Sequence, residues 1–208
     1  MQKNNTIILA NGAFPKSEKL LQLLDATEQI ICCDGAVNKL VDSGREPSVI
    51  IGDLDSVRAE IKAKYKKRLI HITEQDTNDL TKAVNWCASY GLSDVVILGA
   101  TGGREDHTIA NIALLSKYQE QINVRILTDN GSFIPISKTT IFNSFSGQQV
   151  SIFSQDVDIE IFSEGLKYPL QNLKLNRWWM GTLNESVSEQ FTVQFNREGK
   201  VIVYLLNE

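Results

Sequence analysis

The stretch S-V-I-I-G-D-L-D-S, residues 48–56, decides the fold class of this chain. It consists of an apolar run of strand type that is broken by Gly52 and followed by two acids, Asp53 and Asp55. In α/β proteins, polar groups placed directly after a buried strand lie at the carboxyl edge of the sheet, where such folds bind their ligands. We therefore interpret this stretch as the end of a buried strand that presents acid groups at a ligand-binding edge.

Around this stretch, strand and helix patterns alternate along the first two thirds of the chain. Apolar runs predict strands at 6–10, 29–33, 49–51, 69–72, 95–98 and 124–128. Helical periodicity or capping signals lie between them, and they predict helices near 17–25, 36–43, 61–67, 78–90 and 107–118. Such alternation is typical of a parallel sheet wound by right-handed crossovers, so we expect a Rossmann-like α/β domain.

After the turn D-N-G at 129–131, the alternation of strands and helices is replaced by a series of short predicted strands. They are predicted at 150–153, 159–162, 173–175, 191–195 and 201–205, several of them with period-two character and with turn residues between them. No pattern of helix length lies between these segments, which indicates an antiparallel β-sandwich. The fold class is therefore α/β plus all-β, and we divide the chain into domains 1–135 and 136–208.

Composition narrows the class of function. Of the 208 residues, 42% are hydrophobic and 22% are charged, and the net charge of −4 is unsuited to neutralising the phosphates of a nucleic acid. No apolar run approaches the roughly 20 residues of a membrane span. The first ten residues hold too short an apolar segment for a signal peptide. An odd number of cysteines, Cys32, Cys33 and Cys87, argues against a disulfide framework or a zinc site and favours reduced thiols in a cytoplasmic protein.

Asp53 and Asp55 are the first candidate metal ligands. In an extended chain alternate side chains share a face, and two carboxylates there repel each other unless a cation or solvent lies between them. Mg²⁺ prefers oxygen ligands and usually takes one or two carboxylates together with phosphate oxygens. A solvated turn is the alternative, because aspartate is common in turns.

A second acidic group, Asp76 and Asp79, stands where a helix is predicted to begin. A capping box, with Asp76 as N-cap and Asp79 at N3, explains both acids without any chemistry. Lys82 lies three residues beyond Asp79 and shares its helical face. A carboxylate and an ammonium group at a helix start could instead bind a polyphosphate with its Mg²⁺.

The third candidate is the glycine-rich stretch G-A-T-G-G-R-E-D-H-T-I-A-N at 99–111. Its glycines allow a close backbone approach to a ligand, and Arg104 supplies a planar donor fork for phosphate or carboxylate. The stretch lacks the lysine and hydroxyl residue of a P-loop. Asp106 could merely cap the following helix, and His107 could merely pack.

In the second domain Tyr168, Trp178 and Trp179 stand out. Aromatic residues in a sandwich usually belong to the core, but at a rim they suit a flat cationic heterocycle by stacking and by cation–π attraction. The order of residues suggests no covalent nucleophile, so acidic side chains are left to support any chemistry.

Taken together, these pieces resemble the thiamine pyrophosphokinase family over nearly the whole chain. The matching motifs are N-G-x-x-P (11–15), C-D-G-A (33–36), G-D-L-D-S (52–56), Q-D-T-N-D-L-T-K (75–82), G-A-T-G-G-R-E-D-H (99–107) and G-L-K-Y-P-L (165–170). The resemblance implies transfer of the pyrophosphoryl group of ATP to the hydroxyl of thiamine, giving thiamine diphosphate and AMP. It also implies Mg²⁺ and a homodimer that holds thiamine at the subunit interface.

The resemblance also assigns roles to single residues. As catalytic residues it implies Asp53, Asp55, Asp76 and Asp79, of which Asp53, Asp55 and Asp79 bind Mg²⁺. As ATP-binding residues it implies Asn11, Asp34, Lys82, Gly103 and Arg104. As thiamine-binding residues it implies Gln75, Asp106, Tyr168 and Asn184. The chain departs from many members at Asn78, where threonine is usual, and at Leu183, where serine is usual. Either Asp76 or Asp79 could accept the hydroxyl proton.

Two other classes of function stay open at this point. A phosphatase of the haloacid dehalogenase type also carries D-x-D after a strand, and there the first aspartate is a covalent nucleophile. A module that binds thiamine or a nucleotide without turnover is the second alternative. The products separate the three classes, since only a thiamine pyrophosphokinase forms AMP and thiamine diphosphate.

Overall fold

The computed structural model describes residues 6–207, and the chain divides into two compact units, Met1–Asp129 and Asn130–Glu208. The boundary expected after residue 135 lies inside a strand of the second unit, and the division falls instead at the D-N-G turn. The signal-peptide prediction rests partly on residues 1–5, which lie outside the described residues. Within residues 6–207, no helix combines the length and apolar character that a membrane crossing demands.

The first unit is a parallel sheet with helices between its strands. Its strands are β1 (Thr6–Leu9), β2 (Ile30–Cys33), β3 (Val49–Gly52), β4 (Leu69–His71), β5 (Asp94–Leu98) and β6 (Asn123–Leu127). Its helices are α1 (Glu18–Ala26), α2 (Ala36–Asp42), α3 (Ala59–Lys64), α4 (Asp79–Ser89) and α5 (Glu105–Gln119), with a 3₁₀ turn at Lys66–Arg68. The strand order in this unit is β4-β3-β2-β1-β5-β6, and every adjacent pair is parallel. Strands β2 to β4 are added on one side of β1, whereas β5 and β6 are added on its other side, so the strand order reverses between β1 and β5.

The central strands are apolar because both faces of the sheet are covered. Ile7 and Ile8 in β1 and Ile97 in β5 have no exposed surface, as expected for a parallel sheet with helices on both sides. Leu20 and Leu24 anchor α1 to the buried cluster that contains Ile7. The wound α/β sheet predicted from the sequence is therefore confirmed.

The second unit consists of two antiparallel sheets. Its strands are β7 (Gly131–Ile136), β8 (Thr140–Asn143), β9 (Gln149–Ser154), β10 (Ile161–Glu164), β11 (Asn184–Glu185), β12 (Gln190–Phe195) and β13 (Val201–Leu206). The order is β11-β9-β13-β7 in one sheet and β10-β12-β8 in the other. Residues of both sheets, such as Phe191 and Val203, share one buried cluster, so the predicted antiparallel sandwich is confirmed.

Two details of the second unit differ from the sequence prediction. The strand expected at 173–175 is wrong: Leu173 forms a single bridge with Ile161, and the apolar alternation reflects burial of side chains in the core. Strands β7, β8 and the two-residue β11 were not predicted. Pro135 lacks an N–H and is therefore unusual within a strand, so the sequence pattern did not indicate β7. The neighbouring pair Ile141 and Phe142 breaks the visible alternation of β8, although Ile141 is 65% exposed and Phe142 is buried.

Candidate active site

A cavity of about 440 Å³ lies at the carboxyl ends of the strands of the first unit. Its walls come from the loops that follow β1 to β5 and from the starts of α4 and α5, so it spans the point where the strand order reverses. This crevice is where open α/β sheets bind ligands. The residues predicted from the sequence that line it are Asn11, Asp34, Asp53, Asp55, Gln75, Asp79, Lys82, Gly103 and Arg104.

Gly52, the last residue of β3, allows acid side chains from two other segments to approach the strand. Its φ is +153°, and a Cβ at this position would lie 2.9 Å from the Cβ of Asp34 and 3.2 Å from the carboxylate of Asp79. Asp34 follows β2, and Asp79 begins α4. The glycine therefore brings carboxylates from separate parts of the chain to one place.

The D-L-D turn after Gly52 does not use the extended geometry expected from the sequence. Leu54 adopts a left-handed backbone with φ of +65°, and its side chain is buried in the core beneath the sheet edge. The side chain of Asp53 accepts the N–H of Asp55 at 3.2 Å, which closes the turn. The two acids still share a side of the chain, but an anchored left-handed residue produces this arrangement.

Three carboxylates, from Asp34, Asp53 and Asp55, offer oxygens that all lie within 4.8 Å of one another. Asp34 is buried, and its Oδ1 has no hydrogen-bond partner among the described residues. A buried carboxylate oxygen without a donor is costly unless a cation occupies the site. The donor set therefore fits Mg²⁺. The sequence prediction named Asp79 as the third ligand. In the structure it stands beside Asp34 and outside the group of three.

The electrostatics of these acids differ because their surroundings differ. Burial raises the pKa of Asp34, and the negative charges of Asp79 and Asp55 add to the increase, although the hydroxyl of Ser56 and the N–H of Gly35 oppose it. The N–H of Asp55 lowers the pKa of Asp53, with help from Gln75 and the charge of Lys82. A cation bound here would favour the ionised form of Asp34, which burial and the neighbouring negative charges oppose.

Helix α4 places Asp79 and Lys82 on the cavity wall. The N-cap is Asn78, whose Oδ1 accepts the N–H of Thr81 at 2.9 Å, so the capping box with Asp76 as N-cap is wrong. The amide side chain of Asn78, two residues nearer the helix than Asp76, supplies the cap. The side chain of Lys82 is 5% exposed, and its Nζ donates to Asp79 at 3.1 Å. A buried ammonium group beside a carboxylate is suited to binding an anionic ligand oxygen.

Two predicted residues, Asp76 and Asp106, are not among the residues that line the cavity. The backbone N–H of Asp76 donates to Glu74 at 2.9 Å. Asp106 accepts from the guanidinium of Arg104 at 2.6 Å, which lowers the pKa of the Asp106 carboxyl. His107, for which packing was the alternative, is exposed and lines the cavity.

Sequence reasoning missed a polar network behind α4. Asn111 on α5 donates to the carbonyl of Ala100 at 2.9 Å and accepts from Asn78 at 3.4 Å. The hydroxyl of Thr81 lies 2.7 Å from that of Tyr118. This network joins the glycine-rich loop to the start of α4. The sequence signal for it was an asparagine among the apolar residues of α5.

Tyr168 and Asn184 belong to the second unit. The side chain of Asn184 is buried; it donates to the carbonyl of Tyr168 at 2.8 Å and accepts from the N–H of the same residue at 3.1 Å. Tyr168 is 61% exposed. Three other large apolar side chains of this region are at least half exposed: Trp178, Trp179 and Leu183. These two tryptophans are therefore not core residues, and Asn184 orients the backbone of Tyr168.

Two family models match the chain. The model described as "Thiamin pyrophosphokinase, catalytic domain" matches residues 20–126, and the one described as "Thiamin pyrophosphokinase, substrate-binding domain" matches residues 131–204. Thiamin pyrophosphokinase 1 of Caenorhabditis elegans is 27% identical over 193 residues, which cover 86% of this chain and 78% of that protein. Thiamine pyrophosphokinase of Bacillus subtilis is 31% identical over 142 residues, which cover 64% of this chain and 66% of that protein.

Solved structures show the same fold. The crystal structure of thiamine pyrophosphokinase from Bacillus subtilis superposes with a TM-score of 0.80 at 24% identity and covers 98% of this chain and 100% of that chain. The crystal structure of yeast thiamin pyrophosphokinase has a TM-score of 0.80 at 18% identity and covers 99% of this chain and 87% of that chain. At these identities the structural likeness concerns the fold.

Proposed function

The chain belongs to the thiamine pyrophosphokinase family, and from this premise we propose that its carboxylate-lined cavity transfers the pyrophosphoryl group of ATP to the hydroxyl of thiamine. The products are thiamine diphosphate and AMP. The observation that carries the proposal is the convergence of Asp34, Asp53 and Asp55 within 4.8 Å, inside the unit that the catalytic-domain model matches. A haloacid dehalogenase-type phosphatase and a non-catalytic binding module find no support in the comparisons.

The acids of the cavity bind Mg²⁺ in this proposal. Asp53 and Asp55 are the principal ligands, and Asp34 and Asp79, which both approach Gly52, complete the set. When bound, Mg²⁺ neutralises phosphate charge and helps to orient the group that is transferred. The residues themselves supply a rigid frame, since the acids come from three segments that the buried sheet fixes: Asp34 from the loop after β2, Asp53 and Asp55 from the loop after β3, and Asp79 from the start of α4.

The cationic and amide groups of the cavity bind the polyphosphate of ATP. Lys82, already buried beside Asp79, is placed to pair with a phosphate oxygen, and Arg104 offers a planar donor fork at the rim. Asn11 and Gly103 line the loops after β1 and β5, where the backbone approaches a ligand closely. Asp34 adjoins this group. Positioning of this kind supplies most of the catalysis in phosphoryl-type transfer.

The acceptor hydroxyl needs a group that takes its proton. Asp79 lines the cavity and Asp76 does not, which favours Asp79 over Asp76 for this role. Gln75 also lines the cavity and is proposed to contact thiamine, as is Asp106 in the first turn of α5. In the second unit Tyr168 is proposed to stack on thiamine, and Asn184 to act by holding the backbone of Tyr168.

We also propose a cytoplasmic homodimer with thiamine at the subunit interface. The exposed aromatic side chains of the second unit, Tyr168, Trp178 and Trp179, support a surface that a second copy covers. Cys32, Cys33 and Cys87 are free and buried, which agrees with a reducing compartment. Light scattering on purified protein tests the assembly, and a monomer at every concentration would contradict it.

The experiment that tests the function combines the protein with ATP, Mg²⁺ and thiamine and measures AMP and thiamine diphosphate by chromatography. We expect both products in equal amounts, and neither when thiamine or Mg²⁺ is omitted. Release of inorganic phosphate without AMP would indicate a phosphatase. Thiamine binding without any product would indicate a binding module.

Variants connect the activity to the cavity. Asp55→Asn removes one metal-binding carboxylate and is expected to lower kcat/KM by about 100-fold or more. Asp158→Asn is the matched control, because Asp158 is exposed in the second unit and makes the same change of charge. Asp79→Asn is expected to reduce kcat much more than Asp76→Asn. Full activity of Asp55→Asn at saturating Mg²⁺ would remove Asp55 from the metal site.

A further inference from the structure

Helix α2 joins two loops that form separate walls of the cavity. One is the loop after β1, which contains Asn11 and Gly12, and the other is the loop after β3, which contains Asp53 and Asp55. Two consecutive residues of α2 make these contacts: Asn38 bonds to the loop after β3, and Lys39 bonds to the loop after β1. Neither of these residues is among those that line the cavity.

Asn38 clamps the loop that carries the acids. Its Nδ2 donates to the carbonyl of Ser56 at 2.8 Å, and its Oδ1 accepts the N–H of Arg58 at 3.1 Å. The guanidinium of Arg58 bonds in turn to Asp42 at the end of the same helix. Both backbone contacts fall within three residues of Asp55. The clamp therefore fixes the chain directly beyond the metal-binding carboxylates.

Lys39 holds the other loop. Its Nζ donates to the carbonyl of Asn11 at 3.1 Å and to that of Gly12 at 2.7 Å. On its other side the N–H of Gly12 donates to the carbonyl of Gly99 at 2.7 Å. The turn is thus fixed between a cation on α2 and the glycine-rich loop. An ammonium group satisfies two carbonyls here that the strand ladder leaves unpaired.

We propose that Asn38 and Lys39 are positioning residues, Asn38 for the metal-binding acids and Lys39 for the loop that receives the nucleotide. The assignment of the ligands rests on the proposed function. The two contacts act separately: loss of Asn38 frees the loop after β3, and loss of Lys39 frees the loop after β1. A residue with a general structural role would affect both ligands alike.

The test of Asn38 measures metal binding without turnover. We expect Asn38→Ala to bind Mn²⁺, followed by electron paramagnetic resonance in the absence of nucleotide, about tenfold more weakly than the wild type, as loss of about 1.4 kcal/mol predicts. Its kcat recovers at high Mg²⁺ concentration. Asn85→Ala is the matched control, since Asn85 is exposed on α4 and its one described contact is to Gln121.

The test of Lys39 separates KM from kcat. We expect Lys39→Met, which keeps the length of the side chain and removes its donors, to raise the KM for ATP about fivefold to tenfold with little change in kcat. Mn²⁺ binding stays at the wild-type value, and Lys39→Arg restores the KM because it restores donors to both carbonyls. Lys19→Met, on the exposed face of α1, is the control.

Two results would overturn the proposal. One is wild-type Mn²⁺ affinity in Asn38→Ala, and the other is an equal loss of metal affinity, nucleotide affinity and melting temperature in both variants. Because Mn²⁺ binding is measured without thiamine or ATP, these results are independent of whether the wild type forms thiamine diphosphate. An inactive wild type in which Asn38→Ala still weakens Mn²⁺ binding would refute the proposed function and support the assignment of Asn38.

Discussion

Gly52→Ala tests whether the close approach of carboxylates to the end of β3 controls activity. A Cβ at this position would lie 2.9 Å from the Cβ of Asp34 and 3.2 Å from the carboxylate of Asp79. Ordinary van der Waals contact begins near 3.4 Å, so the Asp34 side of the cavity must retreat by about 0.5 Å. A misplacement of about 1 Å can cost about 100-fold in rate, which predicts a loss between about tenfold and about 100-fold here.

The substitution also has a backbone cost that a second variant isolates. The φ of Gly52 is +153°, a region that only glycine adopts readily, and strain there costs about 1–3 kcal/mol. Gly91 has a φ of +74°, and a Cβ there would meet nothing within 4 Å. Gly91→Ala therefore introduces strain of similar size, about 1–2 kcal/mol, without a steric clash near the acids.

The assay compares kcat/KM for thiamine with the melting temperature in both variants. We expect both proteins to melt earlier than the wild type but only Gly52→Ala to lose activity in its folded form. Mg²⁺ dependence provides a further readout, because displaced acids bind the cation more weakly. The reasoning is refuted if Gly52→Ala retains activity within about twofold of Gly91→Ala at a temperature where both are folded.

Substitutions at four further residues test separate contacts. Leu54→Gly is expected to be no less stable than Leu54→Ala in urea unfolding, since glycine relieves about 1 kcal/mol of left-handed backbone strain. A higher stability of Leu54→Ala than of Leu54→Gly would contradict this reasoning. Asp129→Ala removes the carboxylate that accepts backbone N–H groups just before α1 at 2.8 and 2.9 Å and should cost about 1 kcal/mol at pH 7. Desolvation opposes ionisation of Asp129, but these donors lower the pKa of its carboxyl. Its contribution to the free energy of unfolding is therefore present at neutral pH and lost as the pH falls through that pKa. A stability difference between wild type and Asp129→Ala that persists in acid would refute this pH dependence. Tyr118→Phe breaks the 2.7 Å contact with the hydroxyl of Thr81 and should cost about 1 kcal/mol in urea unfolding, and an unchanged midpoint would count against the network. Asn184→Ala removes buried hydrogen bonds to the loop that carries the exposed tyrosine and should cost about 2 kcal/mol in thermal unfolding and raise the KM for thiamine, while an unchanged KM would argue against that loop as a binding element.

Local patterns were sufficient to predict the wound sheet. Beyond their first residues, Thr6 and Asp94, strands β1 and β5 are apolar because helices cover both of their faces, and that signal is present in the sequence itself. The same logic placed Asp53 at the carboxyl edge, because it directly follows a buried run and a glycine. In the second unit the short strands β7 and β8 gave weaker signals, since a proline and an exposed isoleucine interrupt their patterns.

The partners of each acid could not be predicted in the same way. Asp34 and Asp79 are far from Asp53 along the chain, and their approach depends on Gly52 and on how β2 and α4 pack beside β3. The cap of α4 was also misjudged, because Asp76 and Asn78 are both good N-cap residues and only the start of the helix decides between them. The partners of the acids and the start of α4 depend on tertiary packing, about which a local sequence pattern carries no information.

Leu54 shows why the acid pair was predicted correctly on an incomplete geometric argument. An extended chain would place the two acids on one face and Leu54 on the other, and the structure keeps that division while turning the backbone to φ of +65°. Left-handed backbone costs about 1–2 kcal/mol, and full burial of a leucine contributes about 1.5–3 kcal/mol, so the core can hold the strained turn. Because the anchor lies in the core, the repelling carboxylates of Asp53 and Asp55 are kept together before any cation arrives. A site that is assembled in advance loses less entropy on binding, so under the proposed function the buried leucine lowers the cost of holding a cation at these acids.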